Sequence, residues 1–73
     1  MAEFEVKSDI AGSVWKILVQ PGDEIAEDDT LVILESMKME IPVSSPEDGV
    51  VKSLALKEGD AVVEGQLVLV LTV

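Results

Sequence analysis

Apolar residues along the chain fall into short runs that are separated by turn-forming residues. The first half has such runs around Val14–Val19, at Ile25 and over Leu31–Leu34. Runs of Val, Ile and Leu bounded by Gly, Pro and Asp are typical of β-strands. No segment keeps a 3.6-residue period across ten positions without an interrupting Gly or Pro, which argues against helices. The pattern predicts an all-β fold, built as a small sandwich or barrel.

The same pattern occurs twice. Residues 12–35 align with residues 49–72 without a gap, and 6 of the 24 aligned positions are identical. The identical pairs are Gly12/Gly49, Val14/Val51, Gly22/Gly59, Asp23/Asp60, Glu27/Glu64 and Leu34/Leu71. We interpret the match as an internal duplication. It predicts one domain over residues 1–73 with a quasi-two-fold arrangement, in which halves 2–36 and 39–73 are joined by a hairpin at residues 37–38.

Glycines recur at matching positions in the two halves, and we expect Gly12, Gly22, Gly49 and Gly59 to serve turns, because glycine adopts positive φ at little cost. One position breaks the match: Asp28 aligns with Gly65. Aspartate tolerates a left-handed φ better than most residues, so we expect local strain there and an unchanged fold.

Composition narrows the function classes. The net charge is −10, from 15 acidic residues and five lysines, so binding to nucleic acid or to an anionic membrane surface is not expected. The chain has no cysteine and no histidine, and its adjacent acids have no basic partner, so we predict no catalytic residue and no metal site. No signal peptide or membrane span is recognisable. We therefore expect a cytoplasmic protein that is monomeric in isolation.

Lys38 lies in the predicted link between the halves, within the segment Glu35-Ser36-Met37-Lys38-Met39-Glu40. Methionine is usually buried, so two methionines at a turn suit a surface that another protein contacts. An ordinary lysine amine is unprotonated in only roughly one part in a few thousand near pH 7. The amine is therefore a poor catalyst and a better substrate for another enzyme. The sequence leaves open whether the C-terminus lies at the opposite end of the sandwich or at a corner matching this link.

The segment Glu35–Met39 resembles the attachment motif of biotinyl domains, the carrier domains of biotin-dependent carboxylases. The resemblance covers essentially the whole chain and includes both Gly-Asp turns and the segment SPEDGVV. It is nearest to the short, free-standing biotin/lipoyl attachment proteins. It implies a flattened sandwich (barrel-sandwich hybrid) of two four-stranded antiparallel sheets with the lysine on an exposed hairpin. The gap-free repeat leaves no room for the protruding thumb that some bacterial carriers have.

The resemblance implies that a biotin protein ligase attaches biotin to Lys38, and that the biotinyl arm swings between biotin carboxylase and carboxyltransferase sites. Met37 and Met39 are then read by the ligase, and Glu35 and Ser36 are weaker candidates for recognition. Two alternatives remain. Lipoyl carriers of 2-oxoacid dehydrogenase complexes share the fold, but they typically have Asp and Ala around the lysine. An unmodified lipoyl-like interaction domain needs no lysine at this position.

Overall fold

Eight β-strands follow one another in the computed structural model, which describes residues 2–73. They are β1 (Glu3–Lys7), β2 (Gly12–Ile17), β3 (Glu24–Ile25), β4 (Thr30–Ser36), β5 (Met39–Ser44), β6 (Gly49–Leu54), β7 (Ala61–Val62) and β8 (Leu67–Thr72). They form two four-stranded sheets in the orders β1-β8-β6-β3 and β5-β4-β2-β7, and every pairing is antiparallel. The all-β sandwich of two antiparallel sheets is confirmed.

The two sheets are built from equivalent strands. In the alignment of the halves, β2, β3 and β4 correspond to β6, β7 and β8, and β5 corresponds to β1. When each strand of one sheet is replaced by its equivalent, the strand order of the other sheet results. Each half contributes strands to both sheets, so neither half forms a sandwich without the other. The quasi-two-fold repeat predicted from the sequence is confirmed in the strand order.

The core is an aliphatic layer between the sheets. Its most deeply buried side chains come in matching pairs from the two halves, and they are Val14 and Val51, Leu31 and Val68, Val32 and Leu69, and Leu34 and Leu71. Each inward position is Val, Ile or Leu, which suits a half-buried pleated surface. The removal of this apolar area from water is the main favourable contribution to folding.

Four tight turns repeat one arrangement. In each, a side chain at the last position accepts a hydrogen bond from the backbone N–H three residues earlier, at 2.9 to 3.0 Å. The accepting residues are Asp23, Asp29, Asp60 and Gln66. The residue before each has positive φ: Gly22 (96°), Asp28 (73°), Gly59 (92°) and Gly65 (84°). Asp28 thus takes the left-handed conformation expected from its alignment with Gly65.

Gly12 and Gly49 have a different role from the one predicted. Neither has positive φ, and each begins a strand. A Cβ at residue 12 would overlap the carbonyl oxygen of Glu35, and a Cβ at residue 49 would lie 2.6 Å from the carbonyl oxygen of Thr72. The assignment of these two glycines to turns is therefore wrong, because they are required by the close approach of a neighbouring strand.

Two buried serines close the sandwich at equivalent corners. Ser8 and Ser45 are 2% and 1% exposed, and each hydroxyl donates to the carbonyl oxygen two residues further on, at 2.6 Å. Their backbones are bound to the turns at residues 63–66 and 26–29 respectively. The hydroxyls therefore satisfy polar groups that would otherwise be buried without partners.

The C-terminal end of β8 lies at the end of the sandwich that is remote from Lys38. Val50 of β6 pairs with Thr72 and with β3, so the C-terminal end of β8 lies beside β3. The turn after β3 is hydrogen-bonded to Ser45, which follows the end of β5 that is remote from the hairpin. The seven-residue strand β4 separates the two ends by about 20 Å. Residues 2–73 include no helix long and apolar enough to cross a membrane.

Candidate functional site

A two-residue turn connects β4 to β5 and carries Lys38. Ser36 pairs with Met39, and the two residues between them both have positive φ, 52° for Met37 and 66° for Lys38. Positive φ at both central positions defines a type I′ turn, whose twist matches that of the two strands. The turn therefore extends the hairpin directly and holds the lysine at its tip.

The residues in this turn are not the ones that the conformation favours. Type I′ turns prefer Asn-Gly or Asp-Gly, whereas this turn has Met37-Lys38. A left-handed conformation costs roughly 1–2 kcal/mol for a residue that has a Cβ. Strain of this kind is common at functional sites. We infer that these side chains are present for a reason other than the stability of the turn.

The two methionines are exposed on either side of the lysine. Met37 is 92% exposed and Met39 is 64% exposed. Lys38 is exposed as well, and its amine has no ion-pair partner within 4.0 Å among residues 2–73. Two apolar side chains and one free primary amine therefore project into solvent together. This arrangement suits recognition by a second protein better than it suits packing against the domain itself.

The strands below the turn place the other candidate residues at its base. Glu35 pairs directly with Glu40 across the hairpin, both are exposed, and Ser36 is half-buried. Opposed side chains in such a pair have Cβ atoms about 5 Å apart, so the two carboxylates repel each other. All five candidate residues, from Glu35 to Met39, thus lie on one hairpin.

Gly12 fixes the base of the hairpin from the adjacent strand. Ser13 of β2 pairs with Glu35, and Gly12 lies against the Glu35 carbonyl group, where no side chain fits. The absence of a Cβ lets β2 support β4 up to the last residue before the turn. The sequence contained a signal for this role, because Gly12 and Gly49 are aligned, but it did not distinguish close approach from a turn.

The chemistry available here is that of a nucleophilic acceptor. No cysteine or histidine is present in the chain, and residues 2–73 contain no cluster of acidic residues arranged to hold a metal ion. An exposed amine at the tip of a two-residue turn can be inserted into the active site of another enzyme and acylated there. A cofactor with a carboxyl group fits this site, because an amide bond to the amine needs no pocket in the domain.

Comparison with known proteins agrees with this geometry. The sequence profile of the biotin/lipoyl family, described as "Biotin-requiring enzyme", matches residues 4–71. The chain belongs to the biotin/lipoyl attachment family. The match covers all eight strands apart from the first residue of β1 and the last residue of β8.

Two small proteins of this family match almost end to end. The chain is 46% identical over 67 residues to the biotin/lipoyl attachment protein of Bacillus subtilis (strain 168), covering 92% of each chain. It is 43% identical over 72 residues to the biotinylated protein TB7.3 homolog of Mycobacterium leprae (strain TN), covering 99% of this chain and 100% of the relative. The resemblance to free-standing attachment proteins is therefore confirmed.

Attachment domains of the same fold also occur within large enzymes. The crystal structure of Kluyveromyces lactis urea carboxylase superposes with a TM-score of 0.92 and 32% identity. The match covers 99% of this chain but only 6% of that enzyme. The whole of the attachment domain thus corresponds to a small module of the larger protein.

Proposed function

We propose that this chain is a biotin carboxyl carrier in which residues 1–73 act as one attachment domain and Lys38 is the residue that a biotin protein ligase acylates. The observation that carries the proposal is the exposed amine of Lys38, which has no ion-pair partner within residues 2–73 and lies at the tip of the turn that joins residues 2–36 to residues 39–73. The chain needs no catalytic group of its own, because the chemistry would take place in the enzymes that bind the hairpin.

Attachment would proceed as an acyl transfer to the lysine. The neutral amine of Lys38 attacks the carbonyl carbon of biotinyl-AMP, a carbon–nitrogen bond forms, AMP leaves with the electrons of the broken carbon–oxygen bond, and the amine loses a proton. The ligase has to provide the group that removes this proton, since the hairpin offers only the carboxylates of Glu35 and Glu40 beside the turn. The hairpin contributes a fixed position for the amine and two apolar side chains, Met37 and Met39, for recognition.

Biotin held on Lys38 would supply a ring nitrogen able to carry a carboxyl group between a biotin carboxylase site and a carboxyltransferase site. The domain contributes the tether. Because the cofactor is attached to one exposed tip, its effective concentration at both enzyme sites is raised whenever the domain is held near them. The likeness to a urea carboxylase module supports this assignment to a carboxylase system.

Lipoate is the second candidate cofactor, and it would make the chain a carrier of the 2-oxoacid dehydrogenase type. The name of the Bacillus subtilis relative covers both cofactors. The methionine on each side of Lys38 supports biotin, since lipoyl domains typically have Asp before the lysine and Ala after it. An unmodified interaction domain is the third possibility, and the strained Met37-Lys38 turn argues against it, because such a domain gains nothing from an unfavourable turn.

The intact mass of the protein purified from its own cells tests the proposal, together with mapping of the modified peptide. We expect a biotinyl increment on Lys38. The variant Lys38→Arg keeps the charge at the turn and should carry no increment, while its thermal unfolding should match that of the parent. A lipoyl increment would identify a lipoyl carrier instead, and an unmodified lysine would support the interaction domain.

The role of the flanking methionines is tested separately. The double variant Met37→Asp, Met39→Ala should lose biotinylation by purified ligase and gain lipoylation by a purified lipoate ligase. Both side chains are exposed, so the fold should be retained. Biotinylation at the full parental rate would show that these residues do not select the cofactor.

A further inference from the structure

The outer faces of the two sheets differ although their strands correspond. Each sheet has a β-bulge at the same place, where two consecutive residues oppose one residue of the next strand. In the β6–β8 pair the extra residue is Lys52. In the β2–β4 pair the extra residue is Trp15, whose side chain is 47% exposed. The equivalent position on the other sheet, Lys52, therefore serves as an internal reference for the exposed side chain of Trp15.

The face that carries Trp15 is more apolar around this position. Ile33 lies opposite the bulge and pairs with Pro42 of β5, so the three side chains form a stripe across β2, β4 and β5. The corresponding residues on the other sheet are Lys52, Val70 and Glu5. We call the outer surface formed by Trp15, Ile33 and Pro42 the Trp15 face.

The charges beside Trp15 also differ from those on the other sheet. There, Glu3 forms an ion pair with Lys52. The counterpart of Glu3 is Glu40, and it lacks this lysine because Trp15 takes the place of Lys52. Glu40 instead faces a second carboxylate, that of Glu35, which takes the place of Thr72.

Two carboxylates that repel each other, those of Glu35 and Glu40, thus lie beside the exposed indole of the Trp15 face. The Nζ of Lys16 lies 6.0 Å from the centre of the Trp15 ring. Neither Glu35 nor Glu40 forms an ion pair within residues 2–73. A basic side chain of a partner placed between the two carboxylates would remove the repulsion, and an apolar cleft would accept the indole.

We propose that the Trp15 face is the surface on which the enzyme that acylates Lys38 docks, and that this enzyme presents an apolar cleft bordered by basic side chains. The proposal rests on the proposed function. The face is continuous with the hairpin, because Glu35 and Glu40 belong to the two strands that the Lys38 turn connects. A partner bound to this face would therefore also contact the Lys38 turn, which lies at the edge of the face.

The short reach of the unmodified lysine indicates that the partner on the Trp15 face is the acylating enzyme and not the carboxylase or the carboxyltransferase. A bare lysine side chain is only a four-carbon stem, so the enzyme that modifies it must approach the domain closely. After acylation the ring stands at the end of a much longer arm, and the enzymes that use it can act with the domain further away. Acylation is thus the step at which we expect a partner to contact the domain beyond the tip of the hairpin.

Steady-state kinetics of acylation by purified biotin protein ligase, with the carrier as the varied substrate, test the proposal. The variant Trp15→Lys gives this face the residue found at the equivalent place on the other sheet. It should raise KM about tenfold or more, as loss of an interface anchor does, and leave kcat within about twofold. The matched control is Lys52→Trp, which should leave both constants unchanged. Thermal unfolding of each variant verifies the fold.

A direct binding measurement complements the kinetics. Trp15 is the only tryptophan, so incorporation of fluorotryptophan gives a single fluorine NMR resonance. This resonance should shift saturably when ligase is added, and it should also do so in the Lys38→Arg variant, which binds without reacting. An unchanged resonance, or a parental KM for Trp15→Lys, would overturn the proposal. A loss of carboxylation with unaltered acylation would also overturn it and assign the face to the carboxylase. If the ligase does not acylate the parent chain at all, the proposed function fails instead.

Discussion

Gly12 lies against the backbone of Glu35 so closely that a Cβ at residue 12 would overlap the Glu35 carbonyl oxygen. The contact supports the last part of β4 before the Lys38 turn. Gly49 makes the equivalent contact with Thr72 at the opposite end of the sandwich. The two glycines thus provide the same local geometry, once beside the site and once far from it.

We expect Gly12→Ala to lower both stability and acylation. The added methyl group must displace backbone, and overpacking of this kind typically costs about 1–3 kcal/mol. The displaced end of β4 should also shift the turn, which would raise the KM for ligase. Urea unfolding and acylation kinetics measure the two effects.

Gly49→Ala is the control for this substitution. It should lower stability by a comparable amount and leave the kinetics of acylation unchanged. If both variants slow acylation equally, the effect follows from general destabilisation and not from the position of the hairpin.

The strain of the turn predicts that stability and recognition change in opposite directions at residue 37. Asparagine is favoured at this position of a type I′ turn, and the Met37 side chain contributes little packing because it is 92% exposed. We expect Met37→Asn to stabilise the domain by about 1 kcal/mol and to slow acylation by ligase. Thermal unfolding and initial rates test this expectation. A variant that is both less stable and fully active would show that the turn was not strained and that Met37 is not read.

Much of the fold could be predicted because the sequence repeats. Two apolar patterns that align at one spacing indicated two equivalent sheets. The link between the two halves of the repeat contains Lys38, which made this lysine the candidate site. The outer strands β1 and β5 were harder to align, since their only identities are Glu3 with Glu40 and Val6 with Val43. Ser8 also aligns with Ser45 at the same spacing, and both serines are buried.

Other features depend on neighbours that the sequence does not identify. The need for glycine at residue 12 arises from the approach of β4, which is not a property of β2 alone. The bulge at Trp15 interrupts the alternation on which strand prediction depends, so that Trp15 and Lys16 are exposed in succession. Two acidic residues in loops also have partners that the sequence does not identify: Asp29 accepts a hydrogen bond from Ala26 N–H, and Asp48 accepts one from Glu27 N–H.

Asp28 offers a site where stability can be changed far from Lys38. Its φ of 73° is close to the 84° of Gly65 at the equivalent turn. We expect Asp28→Gly to stabilise the domain by about 0.5–1 kcal/mol, because relief of the left-handed strain exceeds the added freedom of the unfolded chain. The reciprocal variant Gly65→Asp should be destabilised. Urea unfolding of the pair measures both effects, and equal loss of stability in the two variants would contradict the explanation from φ.

The carboxylate pair at the base of the hairpin provides a final prediction. Glu35 and Glu40 are directly opposite and exposed, so the double variant Glu35→Gln, Glu40→Gln removes a repulsion. We expect the variant to be more stable than the parent by about 0.5 kcal/mol. This difference in stability should shrink as salt is added, because salt screens the repulsion in the parent. The same variant should weaken binding to ligase, and its KM should depend less on salt concentration, because a basic partner group loses its counterpart.

The matched control on the other sheet is Glu3→Gln. It removes one member of an ion pair, so it should leave stability unchanged or slightly lower and leave KM unaffected. A gain in stability together with a loss of affinity, found only for the Glu35 and Glu40 variant, would mean that this repulsion is retained for a partner. An unchanged KM at low salt would mean that the carboxylates take no part in recognition, and that Trp15 and the methionines must account for the specificity of docking.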